Sequence, residues 1–164
     1  NKNGVTNQLF KKNFLTHGEV MFRRSIYDGV GGYREVFKYA QDYDLWLRMS
    51  LETDFYIVPE VLYERFTFVN GVSNSLEKMA IQRYLAELSR QSLKMRLKYG
   101  LDLVDKFGMQ APFFKKKSRK LSKTLFKFAI SALIREEYDN AKNLITWSLQ
   151  ESKGFFKWPK MIKS

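Results

Sequence analysis

Ala40-Gln41-Asp42-Tyr43-Asp44-Leu45-Trp46-Leu47-Arg48 places two carboxylates at the head of an apolar run. From Asp42 to Glu52 the residues Leu45, Trp46 and Met49 recur at helical spacing, which predicts a helix whose first turn Asp42 caps. Asp44 and Arg48 stand four apart on that helix, the favourable order for an ion pair worth a few tenths of a kcal/mol on a surface. Upstream, Glu19-Val20-Met21-Phe22-Arg23 has an apolar centre flanked by charge and predicts a short buried strand. Asp28-Gly29-Val30-Gly31-Gly32-Tyr33 follows as a turn rich in residues that accept positive φ.

Downstream, Phe55-Tyr56-Ile57-Val58 and Val61-Leu62-Tyr63 predict two strand segments interrupted by Pro59 and continuing to Val69 before an Asn70-Gly71 turn. Asn74 with Glu77 predicts a helix start. Ile81, Tyr84, Leu85, Leu88, Ser92, Met95 and Tyr99 then form one stripe that ends at Gly100. Leu121, Leu125, Phe128, Ala129 and Ala132 predict a second long helix. Tyr138, Ala141, Leu144, Ile145, Ser148 and Leu149 predict a third, and the pair reads as an antiparallel hairpin.

Among 164 residues, 45% are hydrophobic and 28% charged, which fits a packed chain and excludes wholesale disorder. With no cysteine and one histidine, disulfides, thiolate zinc sites and cysteine nucleophiles are excluded. The longest apolar stretch near the end, Leu125 to Ile134, contains Lys127 and falls well short of the roughly 20 residues of a spanning helix. The chain begins at Asn1 without a signal-peptide pattern and is read as part of a longer protein.

The net charge of +12 is segregated. Residues 1–74 hold nine Lys/Arg and nine Asp/Glu, whereas residues 75–164 hold twenty and eight. Such asymmetry suits a near-neutral module joined to one that faces phosphates or an anionic surface. Lys115 to Lys127, with Phe126 and Phe128, is compatible with an interfacial helix on an anionic membrane and equally with a solvated basic face. A nucleic-acid-binding or protein-interaction module is the alternative function, although the aromatics follow core patterns rather than alternating with the basic run, so nucleic acid is the less expected partner.

Taken alone, Asp42 is either a helix cap or a carboxylate base. His17 is a polar loop residue, a phosphate donor or an acid/base group, and Gly31-Gly32 lacks the spacing of a dinucleotide fingerprint. In order, His17-Gly18-Glu19-Val20-Met21-Phe22-Arg23-Arg24-Ser25, Val30-Gly31-Gly32-Tyr33-Arg34-Glu35 and Ala40 to Arg48 resemble the second half of family-2 glycosyltransferases of the GT-A fold.

That resemblance implies an α/β fold, α+β as a fragment. Residues 1–74 would form the C-terminal, acceptor-side part of a GT-A domain, 75–110 a long amphipathic helix and linker, and 111–164 a basic helical hairpin appendage. It implies an inverting transfer from a nucleotide-diphosphate sugar to a glycan or lipid-linked glycan, as in bacterial surface-polysaccharide assembly. Asp42 would be the catalytic base. His17, Gly31, Gly32, Gln41, Asp44 and Trp46 would line the substrate, with Gln41 where many members carry Glu. A divalent cation, Mg²⁺ or Mn²⁺, would be held mostly by residues outside this chain, and the enzyme would work in the cytoplasm, peripheral to the inner face of the plasma membrane. The segment from Arg65 to Ser73 departs from the family pattern because it offers no histidine.

Overall fold

The computed structural model describes residues 2–64, 66 and 75–152, except the side chains of residues 2, 3, 5 and 6. Among these residues there are seven α-helices and no strand: α1 (Lys2–Lys11), α2 (Arg24–Gly29), α3 (Gln41–Glu52), α4 (Leu76–Tyr99), α5 (Leu103–Phe107), α6 (Arg119–Ile134) and α7 (Tyr138–Glu151). Short 3₁₀ turns lie at His17–Glu19, Glu35–Phe37 and Gly108–Phe114.

The expected α/β or α+β architecture is therefore corrected to an all-helical one, and a GT-A fragment is not supported. The cause is visible at the predicted strands. Val20 (φ −104°, ψ 128°) and Arg23 (φ −72°, ψ 134°) do have extended backbones, but no segment among the described residues completes a ladder. Phe55–Val58 and Val61–Tyr63 also pair with no strand among the described residues, and Tyr56, Val61 and Leu62 are 84%, 90% and 73% exposed. β-propensity is a preference for a pleated, half-covered surface, so it sets local extension without supplying the second strand. Arg24–Gly29, expected to run into a turn, is helical, with an exposed Arg24–Asp28 pair across one turn. The continuation to Val69, the Asn70-Gly71 turn, the Asn74 cap and most of the Arg65–Ser73 segment lie outside the described residues.

The chain divides into two compact units: the N-terminal segment joins Leu85–Lys115 in one, and the start of α4 up to Tyr84 joins the segment from Lys116 onward in the other. In the first unit α3 is the central element. Every side chain from Tyr43 to Ser50 is buried, which is the pattern of a helix covered all round rather than on a single stripe. Tyr43, Leu45, Trp46, Leu47 and Met49 pack with Leu9 of α1 and with Ala86 and Leu93 of α4. Tyr43 Oη donates to the Leu9 carbonyl, so the α1 terminus is tied to the core by a polar contact as well.

In the second unit α6 and α7 pack through Leu121, Leu125, Ala129, Ala132, Ala141 and Leu144, with Leu76 and Ala80 of α4 completing the cluster. Small residues at the contact allow close approach of the two backbones. Ser118 N donates to Glu151 Oε2 (2.9 Å) and Ser148 Oγ to the Ser122 carbonyl (2.9 Å), a pairing of rising with falling numbers that makes the helices antiparallel. The turn between them places Glu136 at φ 59°.

Candidate functional site

Gln41 and Asp42, two of the sequence-predicted residues, open α3. Asp42 is the second residue of the helix, and the cap position itself belongs to Ala40. Its Oδ1 accepts from the Tyr43 backbone N–H (2.7 Å), and its Oδ2 accepts from Asn13 Nδ2 (3.3 Å). Asn13 is itself oriented, because its Oδ1 accepts from Leu15 N (3.2 Å). The result is a half-buried carboxylate with a fixed plane and one side toward solvent.

Beside it stands Tyr33, 39% exposed. Burial raises the Tyr33 phenol above its ordinary value, and the nearby Tyr27 and the Asp42 charge raise it further. Tyr33 is thus a neutral hydroxyl at physiological pH, able to donate to a carboxylate or to a sugar oxygen. His17 lies with its ring 5.8 Å from that of Tyr33, and Tyr27 meets Tyr33 edge-on at 5.5 Å. Phe22 stacks on Tyr27 at 5.6 Å and abuts Trp46. A rim of partly exposed rings therefore runs from His17 to Phe22 alongside Asp42.

Two glycines on this rim have side chains of neighbouring tyrosines close above them, and at Gly32 the backbone conformation itself favours glycine. Gly32 has φ 63°, and a Cβ there would sit 2.9 Å from the Tyr27 ring; a Cβ on Gly18 would come within 2.3 Å of the Tyr63 hydroxyl. Gly31, also at positive φ, turns the chain from α2 toward Tyr33. Gln41 is exposed and lines an open cleft of about 510 Å³ together with Tyr33, Arg34, Glu35, Lys38 and Tyr39. Tyr39, at φ 71°, is a non-glycine residue in the left-handed region at the edge of that cleft.

Asp44 and Trp46 occupy a different place from Asp42, His17 and Gln41. Asp44 is 2% exposed and Trp46 0%, so both face the interior. Asp44 is gripped by two arginines: Arg34 Nε reaches Oδ2 at 3.0 Å while Arg34 Nη2 takes Oδ1, and Arg48 Nε reaches Oδ2 at 3.0 Å. Arg48 also donates to the carbonyls of Val30 and Gly32, the latter at 2.6 Å. This pair is buried and multiply bonded, not the weak surface pair predicted by its spacing. Burial lowers the Arg48 pKa against the opposing pull of Asp44.

The network continues to residues that sequence reasoning missed. Arg34 Nη1 donates to Asp102 Oδ2 (2.8 Å), which also accepts from Arg96 Nη2 (2.8 Å), and Arg96 reaches Asp105 (2.7 Å). Asp102 caps α5 through the N–H groups of Val104 and Asp105. Burial opposes its charge, yet Arg34 and Arg96 outweigh that and hold the carboxyl at about 2, below the ordinary 3.8. Because Arg34 and Asp102 are 68 residues apart, no local pattern announces the pair. The Gly31-Gly32 loop, the start of α3 and the start of α5 are thereby locked together behind the rim.

Among the described residues, no group of three or more His, Cys, Asp or Glu could hold a metal ion. The divalent cation implied by the resemblance has no fitting site in them. Neither a protein family, a curated protein nor a solved structure matches the chain. The resemblance to family-2 glycosyltransferases thus finds support neither in the all-helical architecture nor in any related protein.

Proposed function

We propose that the α3 terminus binds a hydroxyl-bearing acceptor of glycan type and that Asp42 removes the proton of that hydroxyl during sugar transfer. The observation that supports this is the pairing of a half-buried, doubly oriented carboxylate with a rim of aromatic rings. Sugars present C–H faces that rest on rings and hydroxyls that donate to carboxylates, so the two surfaces complement each other.

The proposed reaction is a single displacement. The acceptor oxygen forms a bond to the anomeric carbon of a nucleotide-diphosphate sugar, the bond from that carbon to the diphosphate oxygen breaks, and the hydroxyl proton passes to an Asp42 oxygen. Inversion needs only this one base. Asn13 and the Tyr43 N–H fix one edge of the carboxylate and leave the remaining lone pairs for the acceptor. Tyr33 and His17 orient it, and Gln41 contributes from the cleft. Asp44 acts at a distance by anchoring Arg34 and Arg48, which hold the loop that carries Tyr33.

The acceptor is a glycan or lipid-linked glycan. The same proposal places the reaction on the cytoplasmic side, where nucleotide-sugars are made, at the inner face of the plasma membrane. No helix among the described residues is long and apolar enough to cross a membrane. The test is transfer by the protein, read as nucleoside diphosphate released with an oligosaccharide panel as acceptors. Asp42→Asn should lower turnover by about 10²–10⁴-fold, while Asp42→Asn turnover equal to wild type would sink the proposal.

A further inference from the structure

The solvent side of α6 carries two chemistries at once. Phe126, Ile130, Leu133 and Ile134 are 44%, 41%, 42% and 79% exposed, although each is a large apolar side chain. Lys123 and Lys127 are exposed on the same face. At about 100° per residue these six positions fall within an arc of about 120°, turned away from Leu121, Leu125, Ala129 and Ala132, which pack in the core of the unit. Between residues 116 and 135 there are seven Lys and Arg and no Asp or Glu. The basic residues concentrate toward the start of the helix and the exposed apolar ones toward its end.

Scattered exposed apolar residues are ordinary on a solvated surface, whereas four large ones in register on one helix face form a patch. A nucleic-acid surface would need bases to stack on rings, and this stripe has a single aromatic among aliphatic side chains. An anionic bilayer surface satisfies both halves: the aliphatic residues enter the acyl boundary while the lysines extend to lipid phosphates and carboxylates. From this charge complementarity and register we infer that α6 is a docking helix that lies in the plane of a negatively charged membrane surface. The inference stands independently of the sugar-transfer proposal, since it uses none of the residues at the α3 terminus.

The full chain is tested by sedimentation with vesicles of phosphatidylcholine alone and of phosphatidylcholine containing about 30% phosphatidylserine, with a single-stranded oligonucleotide as the competing probe. Binding is expected to the anionic vesicles only, weakening as salt rises. Ile130→Gln with Ile134→Gln should lower vesicle partitioning by more than about tenfold, and Lys123→Glu with Lys127→Glu should do the same. All four positions are solvent-exposed, so circular dichroism should show unchanged helix content. The inference is overturned by equal binding to both vesicle types, by no vesicle binding, by tighter binding of the oligonucleotide, or by folded isoleucine variants that bind as wild type.

Discussion

Replacing Asp44 by asparagine should destabilise the first unit far more than replacing Asp42, although the two carboxylates lie two residues apart on one helix. Asp44 is 2% exposed and compensates two guanidinium groups, Arg34 and Arg48. Removing one partner of a buried pair costs about 3–5 kcal/mol because the remaining charge is left without a counterion. Arg34 keeps Asp102, and Arg48 keeps two backbone carbonyls, which places the loss near the lower bound, about 3 kcal/mol or a factor of about a hundred in the folding equilibrium. Asp42 is half-exposed and accepts two hydrogen bonds, one on each oxygen; an amide keeps one acceptor and turns its NH2 toward the other donor, so Asp42→Asn should cost about 1 kcal/mol, moderated by solvent access. Urea unfolding followed by Trp46 fluorescence, with Trp147 and Trp158 replaced by phenylalanine, measures both. The expected midpoint drop for Asp44→Asn is about 1–2 M at unchanged slope. A loss for Asp44→Asn no larger than that for Asp42→Asn would refute the division into an anchoring and a substrate-facing carboxylate.

Three further outcomes follow from the same geometry. Because the Asp102 carboxyl is held at about 2 against an ordinary 3.8, its contribution is present above pH ~4 and is lost as pH falls toward 2. Wild type should therefore exceed Asp102→Asn by about 1–2 kcal/mol more at pH 5 than at pH 2, after allowance for screening, by urea unfolding at each pH. Gly32→Ala places a Cβ 2.9 Å from Tyr27 at φ 63°, and should cost about 1–2 kcal/mol in the same assay while displacing the Tyr27 and Tyr33 rings. Leu125→Ala empties a site that is 1% exposed between α6 and α7 and should destabilise the second unit by about 2–5 kcal/mol, read from amide exchange of the two helices.

The helices were legible because their signal is local. The stripes at Leu45–Met49, Ile81–Tyr99, Leu121–Ala132 and Tyr138–Leu149 each repeat within one or two turns, and α3, α4, α6 and α7 cover them. The strand expectations at Glu19–Arg23, Phe55–Val58 and Val61–Tyr63 failed because a strand is defined by a partner, and β-branched and aromatic content does not name one. With them went the GT-A expectation, since the ordered motifs carry residue types and spacing but no tertiary pairing. The same limit applied to polar contacts. Asp44 and Arg48 could be paired on paper from their spacing, but their burial and the bridge from Arg34 to Asp102 depend on loops that bring distant segments together. At the candidate site, Asp42, His17 and Gln41 were picked by sequence and do lie around the α3 terminus. Tyr33 stood in the Gly31-Gly32-Tyr33 turn, but its ring contacts with His17 and Tyr27 span 16 and 6 positions, and no local pattern announces them.

The central claim is that Asp42 is the base that activates an acceptor hydroxyl, and its most direct test separates binding from turnover. Isothermal titration of an active oligosaccharide acceptor should give a Kd for Asp42→Asn within about threefold of wild type, since the amide keeps the shape of the side chain and much of its hydrogen bonding. Transfer from the nucleotide-sugar donor by the same variant should fall by about a hundredfold or more. Full turnover with Asp42→Asn would contradict the account.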